Sequence, residues 1–295
     1  MLESNKNTSL IHIACSHYYR IKGEITLINK ELQLPVELEP YRADIESTIK
    51  PYIKIETVEA EAKLHSSKFG GYPYLPIGAE HPLDLYGNPM LLLAQINYEE
   101  MPRLDDMPAK GMLQFFITAT SDKDDIYGAD FDEPTNQENF RVVYHKEVVT
   151  DELKLVTNFS YLEKMNYDYS LFPVPEERLL KFELDYEPVS TADYRFEYLF
   201  DEESDLTDDD DLIDKYVDEL DVDGHKVGGY AYFTQDDPRG HNDELKEYEM
   251  LLLQIDTDGE AEIMFGDSGI ANFFIKREDL KNLNFTNVMY TWDCC

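Results

Sequence analysis

Two glutamines and two tyrosines stand at matching places in two parts of the chain, and they are the side chains best suited to hold a ligand. Gln95 and Gln254 interrupt apolar runs, whereas Tyr72 and Tyr230 each follow a pair of glycines. A buried amide without a hydrogen-bond partner costs about 1–3 kcal/mol, so both glutamines need partners in the fold. They could tie neighbouring strands together, or they could line a binding cleft with the two tyrosines.

Arg239 is a further predicted binding residue, because arginine is scarce in this chain, which has eight. It follows an aromatic run on a predicted loop, where a guanidinium could bind the carboxylate or phosphate of a ligand. Asp236 and Asp237 precede it in the sequence. Asp236 belongs to the same predicted binding loop, although either aspartate could instead form an ion pair that fixes the loop.

The motifs that would indicate catalysis or metal binding are incomplete. Residues 266–270 resemble the nucleophile segment of chymotrypsin-like serine proteases, but the histidine segment that this chemistry needs upstream is absent from the sequence. Glu219 and Gln254 each open a stretch that loosely matches an EF-hand loop. Tyr230 and Phe265 then occupy the place of its bidentate glutamate. We therefore expect no catalytic residue, no bound metal ion and no cofactor.

The chain is strongly acidic, with a net charge of −36 from 62 acidic and 26 basic residues. The charge is uneven, because residues 1–70 carry 9 basic and 10 acidic side chains and the remainder carries 17 and 52. Such a field repels phosphates, which argues against nucleic acid and anionic membranes as partners. It favours a basic protein as the partner.

The cysteine content and the length of the apolar runs indicate the cellular compartment in which the protein is found. Three cysteines, Cys15, Cys294 and Cys295, do not make a disulfide framework, which indicates a reducing environment. The longest apolar runs have six or seven residues, too few to span a bilayer. These features predict a cytoplasmic protein and leave its oligomeric state open.

Three short segments recur in the same order, 158 or 159 residues further along the chain. Residues 68–72, 91–96 and 111–117 return as residues 226–230, 251–255 and 269–275. Three ordered matches at one offset predict an internal duplication. Repeat one would cover about residues 57–149, an acidic connecting region residues 150–223, and repeat two residues 224–295.

The apolar pattern predicts an α+β fold that is rich in β-strands, as the aromatic content of 13% also favours. Strands are expected at about residues 57–64, 90–97, 111–118, 140–148, 228–234, 248–256, 261–266, 269–276 and 285–292. Short helices are expected near residues 40–49 and 277–282, and Thr207 is the predicted N-cap of a helix in the acidic region. Residues 1–30 would be an N-terminal extension of uncertain order, and residues 31–295 a single duplicated domain with two halves related by a pseudo-twofold axis.

Several of these segments resemble the YwqG-like family, a bacterial domain of unknown function. They are residues 68–76, 92–97, 111–117, 127–131, 140–144, 233–239, 251–256 and 269–274, and the resemblance covers about residues 35–295. It implies a bacterial cytoplasmic protein with a duplicated α+β fold, and it brings no established reaction, cofactor or catalytic residue. Some relatives are thought to be immunity proteins beside polymorphic toxins. Such a role is consistent with an acidic chain, because many toxin nucleases are basic.

Three hypotheses about function follow. The leading one is a non-enzymatic, acidic protein-binding module, of the immunity type that neutralises a basic toxin. The alternative is a small-ligand-binding protein or an enzyme, with a cleft between the two repeats that is lined by the glutamines, tyrosines and arginine named above. The third is a divalent-metal sensor built on the acidic residues 201–223.

Overall fold

The chain forms two compact units, residues 1–33 and residues 34–295. The computed structural model describes residues 17–21, 24–28, 32–119, 126–165, 167, 172–199, 206–207 and 209–295. In the first unit, β1 (His17–Ile21) pairs antiparallel with β2 (Glu24–Ile28). Cys15 and residues 200–205 of the acidic connecting region lie outside the described residues.

The second unit is built on a ten-stranded antiparallel sheet. Its strands are β3 (Lys50–Val58), β4 (Lys68–Phe69), β5 (Leu91–Asn97), β6 (Met112–Ile117), β7 (Phe140–His145), β8 (Arg178–Glu187), β9 (Lys226–Gly228), β10 (Met250–Ile255), β11 (Ile270–Ile275) and β12 (Val288–Asp293). Their spatial order is β12-β11-β10-β9-β3-β8-β4-β5-β6-β7. The sheet curls into a near-closed barrel, since the rings of Phe140 in β7 and Tyr290 in β12, its two edge strands, have centroids 5.1 Å apart.

The helices are few and short. They are α1 (Arg42–Ser47), α2 (Ser160–Glu163), α3 (Phe196–Leu199), α4 (Asp210–Leu220) and α5 (Arg277–Lys281). The predicted N-cap of α4, Thr207, is wrong. Asp209 caps this helix instead, because its extended backbone lets its carboxylate accept the N–H groups of Asp211 and Leu212. No helix among the described residues has the length and apolar character needed to cross a bilayer.

The main core fills the inside of the curled sheet. Phe115 of β6 contacts Phe273 of β11 with ring centroids 4.7 Å apart, and Phe273 stacks on Tyr290 at 4.3 Å. Every residue of β5, β6, β10 and β11 is buried. Both faces of these strands are therefore covered, which explains why their sequences are nearly continuous apolar runs.

A β-bulge in β5 and another in β10 decide which side chains share a face. Strict alternation would place Leu92 and Ala94 together, but the register of β5 shifts between them. As a result Ala94 joins the main core, whereas Leu92 packs in a separate cluster with Phe116. The register of β10 shifts in the same way between Leu251 and Leu253.

The structure confirms most of the predicted strands and helices and corrects three strands. A strand at 57–64 is wrong, because β3 begins at Lys50, directly after α1, and ends at Val58. Residues 228–234 form a strand only up to Gly228, since Gly228 and Gly229 have φ of +76° and +70°, which turns the chain out of the sheet. Residues 261–266 contain only isolated β-bridges. The central strand β8 was not predicted.

Candidate functional site

The glutamines Gln95 and Gln254 take equivalent places in β5 and β10, and both are fully buried. Gln95 Oε1 accepts the N–H of Tyr74 at 2.8 Å, and Gln254 Oε1 accepts the N–H of Tyr232, also at 2.8 Å. Each amide thus satisfies a backbone donor in the loop that follows a glycine pair.

The amide nitrogens of the same two glutamines bind the loops that precede β4 and β9. Gln95 Nε2 donates to the carbonyl oxygens of Leu64 and Ser66 at 2.8 and 2.7 Å. Gln254 Nε2 donates to the carbonyl oxygen of Gly224 at 2.8 Å. Because both ends of each amide are bonded and neither side chain is exposed, a ligand could reach them only by displacing these hydrogen bonds.

A second amide lies beside each glutamine. Gln114 pairs with Gln95 in the sheet register, and Asn272 pairs with Gln254. Gln114 Nε2 donates to the carbonyl oxygen of Tyr74, and Asn272 Nδ2 donates to that of Tyr232, both at 2.9 Å. Each pair of amides therefore binds both the N–H and the carbonyl oxygen of one loop residue, Tyr74 in one case and Tyr232 in the other.

The tyrosines that follow the two glycine pairs differ in burial. Tyr72 is 43% exposed, stacks on the ring of Phe159 with centroids 4.8 Å apart, and donates its hydroxyl to Glu163 at 3.1 Å. Tyr230 is 1% exposed and donates its hydroxyl to the carbonyl oxygen of Thr48 at 2.6 Å. Of the two, Tyr72 presents a surface that a partner could contact.

Each glycine pair accompanies a buried lysine that binds a glutamate from β8 or its flank. Lys68 Nζ lies 2.7 Å from Glu177 Oε2, and Lys226 Nζ lies 2.9 Å from Glu187 Oε2. Both lysines are essentially unexposed. These ion pairs were not predicted from the sequence, although a lysine two residues before each Gly-Gly is a local signal that points to them.

The pKa shifts of these groups and the need for glycine at position 229 both follow from the close approach of the glutamates to the lysines and to the backbone. Burial lowers the pKa of Lys68, and the adjacent Glu177 opposes this shift. Burial raises the pKa of Glu187, and Lys226 opposes that shift. A Cβ on Gly229 would lie 1.9 Å from Glu187 Oε1, so only glycine lets this carboxylate approach the backbone.

Arg239 is fully buried and forms an ion-pair network. Its Nη2 lies 2.6 Å from Asp237 Oδ2 and 3.1 Å from Asp193 Oδ2. Its guanidinium carbon lies 3.9 Å from the ring centroid of Phe274. Asp236, in contrast, is exposed. The neighbouring Asp237 thus fixes Arg239, while the predicted binding role of Asp236 stays a prediction.

An acidic cleft of about 410 Å³ opens elsewhere on the second unit, and none of the six predicted binding residues lines it. It is lined by Asp132, Glu133, Pro134, Thr135, Asn242, Glu244, Leu245, Glu247, Tyr248 and Lys276. The carboxylates of Asp132, Glu133 and Glu244 are exposed and make no hydrogen bond or ion pair with the described residues. Lys276 Nζ forms an ion pair with Glu247 and lies 4.9 Å from the ring centroid of Tyr248.

This cleft was missed at the sequence level because its two walls, residues 132–135 and 242–248, lie more than 100 residues apart in a chain where acidic residues are common. The described residues contain no group of three or more histidine, cysteine or acidic side chains arranged to hold a metal ion. The chemistry that the cleft offers is therefore the binding of cationic groups by carboxylates next to an aromatic ring.

Comparison with known protein families gives a match over most of the chain. A family model described as "Domain of unknown function (DUF1963)" matches residues 67–294, which include both buried lysines, both glutamines and the acidic cleft. No curated protein matches the chain.

Proposed function

The chain belongs to the family described as Domain of unknown function (DUF1963), and we propose that it is a non-enzymatic module whose acidic cleft binds a basic segment of a partner protein. The observation that carries this proposal is the position of Lys276. Its ammonium group lies between the carboxylate of Glu247 and the ring of Tyr248, as a lysine of a partner would. Three further carboxylates of the cleft are left for cations from outside.

The charge of the whole chain supports the same proposal. A net charge of −36 attracts basic proteins over long range and speeds their association, while it repels phosphate-rich polymers. The cleft would then be the site at which a basic protein, once attracted, binds. Nucleic acid and membranes accordingly have no part in the proposal.

We assign the protein to the bacterial cytoplasm and to the YwqG-like group, in the role of an immunity-type protein against a basic toxin. The segments that resemble this group support the assignment, among them residues 68–76 and 111–117.

We also propose that residues 57–149 and 224–295 are repeats related by a pseudo-twofold axis. Corresponding β-bulges, the paired amides and the two buried lysines, each recurring after 158 or 159 residues, support the duplication.

The proposal is tested by binding of a lysine-rich peptide and of a panel of purified basic toxins, measured by calorimetry at increasing salt. The variant carries Glu133→Gln and Glu244→Gln. We expect it to bind the cognate toxin about tenfold more weakly, equal to about 1.4 kcal/mol, because two cleft carboxylates are lost. Affinity of the unaltered protein should fall steeply with salt.

The matched control carries Glu59→Gln and Glu61→Gln, which remove the same charge at two exposed positions outside the cleft. Equal weakening by the two double variants would mean that net charge alone attracts basic proteins and that the cleft has no special role. Binding that is insensitive to salt, or an absence of binding to every toxin and to the peptide, would contradict the proposal altogether.

The alternative function, a small-ligand site or enzyme between the two halves, receives less support from the contacts. Gln95, Gln254, Tyr230 and Arg239 are at most 1% exposed and are bonded within the fold. A ligand that used them would have to break several buried hydrogen bonds first. Of the six predicted residues, Tyr72 and Asp236 remain open to a partner.

A further inference from the structure

Lys50, the first residue of β3, carries an ammonium group that is shielded from water without a carboxylate partner. Its Nζ lies 4.1 Å from the ring centroid of Tyr230. Within the described part of the chain, Nζ makes no hydrogen bond and no ion pair. This is unusual where acidic residues outnumber basic ones by 62 to 26, because an unpaired charge removed from water is costly.

A second cation contacts the same ring. The guanidinium carbon of Arg195 lies 4.7 Å from the Tyr230 centroid. Asp193 holds this side chain in place, with Nε 2.7 Å from Oδ1 and Nη2 2.6 Å from Oδ2. The remaining nitrogen, Nη1, carries two N–H groups and has no hydrogen-bond partner among the described residues.

The carboxylates nearby are already shared. Asp193 binds both Arg195 and Arg239, and Asp237 binds Arg239. We call Lys50, Asp193, Arg195, Asp237 and Arg239 the cationic cluster, since its three cations face two carboxylates. The cluster lies inside a protein that is otherwise strongly negative, so its excess positive charge is a local feature that the composition does not explain.

Beyond the cluster, Glu187 is buried and already binds Lys226, and a further group of charged side chains is exposed and paired within itself. Arg277 binds Glu249 at 2.8 Å and Asp106 at 2.7 Å, and all three side chains are at least 40% exposed. Neither carboxylate pairs with Lys50. Water and salt screen such exposed charges more than they screen the half-buried amine of Lys50.

We propose that the cationic cluster is a binding site for a small oxyanion, a carboxylate or phosphate group, held by Lys50 Nζ and by Nη1 of Arg195. Two cations on one ring supply directed N–H donors for such a group, and the oxyanion supplies the missing negative charge. This site is separate from the acidic cleft and would take ligands of the opposite charge.

The titration of Lys50 gives the site a direct readout. Burial, and then the positive charge of Arg195, lower the pKa of Lys50 to about 8, against the opposing effects of Asp193 and Glu249. Arg277 adds to the lowering. An oxyanion bound beside Nζ stabilises the ammonium form, so it must raise this pKa toward the ordinary value of 10.5.

The experiment follows the lysine Nζ and Cε resonances of the full chain by NMR across pH 6–11. It is run in sodium chloride, sodium acetate and sodium phosphate at equal ionic strength, and Lys50→Met identifies the Lys50 signal. We expect the pKa of Lys50 to be clearly higher in one oxyanion than in chloride. A rise in acetate identifies a carboxylate site, and a rise in phosphate a phosphate site.

The affinity of the same anions, followed through backbone amide shifts, completes the test. Lys50→Met should weaken binding by about tenfold or more, since a charge-assisted hydrogen bond is lost. The control is Lys54→Met in the same strand, where the lysine is exposed and pairs with Glu56 at 3.2 Å. Equal Lys50 pKa values in all three salts would overturn the proposal. The same anion affinity in both variants would do so as well.

Discussion

Lys68 and Lys226 each stand two residues before a Gly-Gly-Tyr sequence, yet the glutamates that bind them differ in exposure. The side chain of Glu187 is 1% exposed, whereas that of Glu177 is 32% exposed. The tyrosine after each glycine pair shows the same contrast, with Tyr230 buried and Tyr72 at the surface. One half of the sheet therefore encloses its ion pair, and the other leaves it in contact with water.

The two tyrosines differ in exposure because different side chains cover them. Tyr230 lies under Lys50 and Arg195, which come from β3 and from the segment before α3. Tyr72 has the ring of Phe159 stacked on it and a hydroxyl contact with Glu163, and it stays 43% exposed. A short local motif thus sets the backbone and the ion pair, while chain segments from elsewhere set the burial and with it the energetic cost of a change.

The largest expected effect comes from removing the glutamate charges. Glu187→Gln should lower the free energy of unfolding by about 3–5 kcal/mol, because it leaves Lys226 charged and enclosed. Glu177→Gln should cost about 1–2 kcal/mol, since water can approach Lys68 once the carboxylate is gone. Urea unfolding of the two variants measures both values. Equal losses would show that the difference in exposure has no energetic consequence.

Removing the lysine instead should make stability depend on pH. In Lys226→Met, Glu187 loses its cation, and its pKa in the folded state rises further above the ordinary value of 4.5. A carboxyl with a raised pKa binds its proton more tightly when folded. Its contribution is therefore complete below pH 4.5 and is lost as pH rises toward the folded-state pKa, by about 1.4 kcal/mol per pH unit.

The measurement is the unfolding free energy of Lys226→Met relative to the unaltered protein at pH 5, 6, 7 and 8. The deficit should grow across this range. Lys68→Met is the control, because water reaches Glu177 and can hydrate it, and its deficit should change less with pH. A pH-independent deficit in Lys226→Met would contradict the assignment of Glu187 as the buried partner.

The smallest expected effect concerns the tyrosine hydroxyls. Tyr230→Phe should cost about 1–2 kcal/mol, because the carbonyl oxygen of Thr48 loses its donor in a buried place. Tyr72→Phe should cost less than about 0.5 kcal/mol, since its hydroxyl bonds an exposed glutamate. Thermal unfolding of the two variants compares them. A larger drop in melting temperature for Tyr72→Phe than for Tyr230→Phe would contradict the prediction that the buried hydroxyl contributes more to stability.

Much of the sheet was predictable from local sequence. The strands β5, β6, β10 and β11 are nearly continuous apolar runs, and α5 was expected within a residue of its limits. The central strand β8 was not predicted, although residues 181–187 alternate between charged and apolar side chains, a pattern typical of a strand. Its strand character comes from nine register positions shared with β3, more than 100 residues away. The position of β8 between β3 and β4 depends on this distant pairing and has no local signal.

The candidate site was likewise predictable only in part from the sequence. Gln95 and Gln254 were identifiable as amides that need partners, but the sequence left a structural and a binding role open for both. Their partners, such as Leu64 and Gly224, are backbone groups that any residue carries, so composition cannot point to them.

By itself, the sequence determined the negative charge, the matching segments, the glycine positions that require φ above zero, and the strands with two apolar faces. These are properties of single residues and their near neighbours. Only the tertiary structure decided that β3 and β8 form the centre of the sheet and that β-bulges place neighbouring side chains in separate core clusters. It also decided that Tyr230 is covered while Tyr72 is not, and that two distant loops form the acidic cleft. Each of these depends on contacts between segments far apart in the chain, whose free energy exists only once the sheet has closed around them.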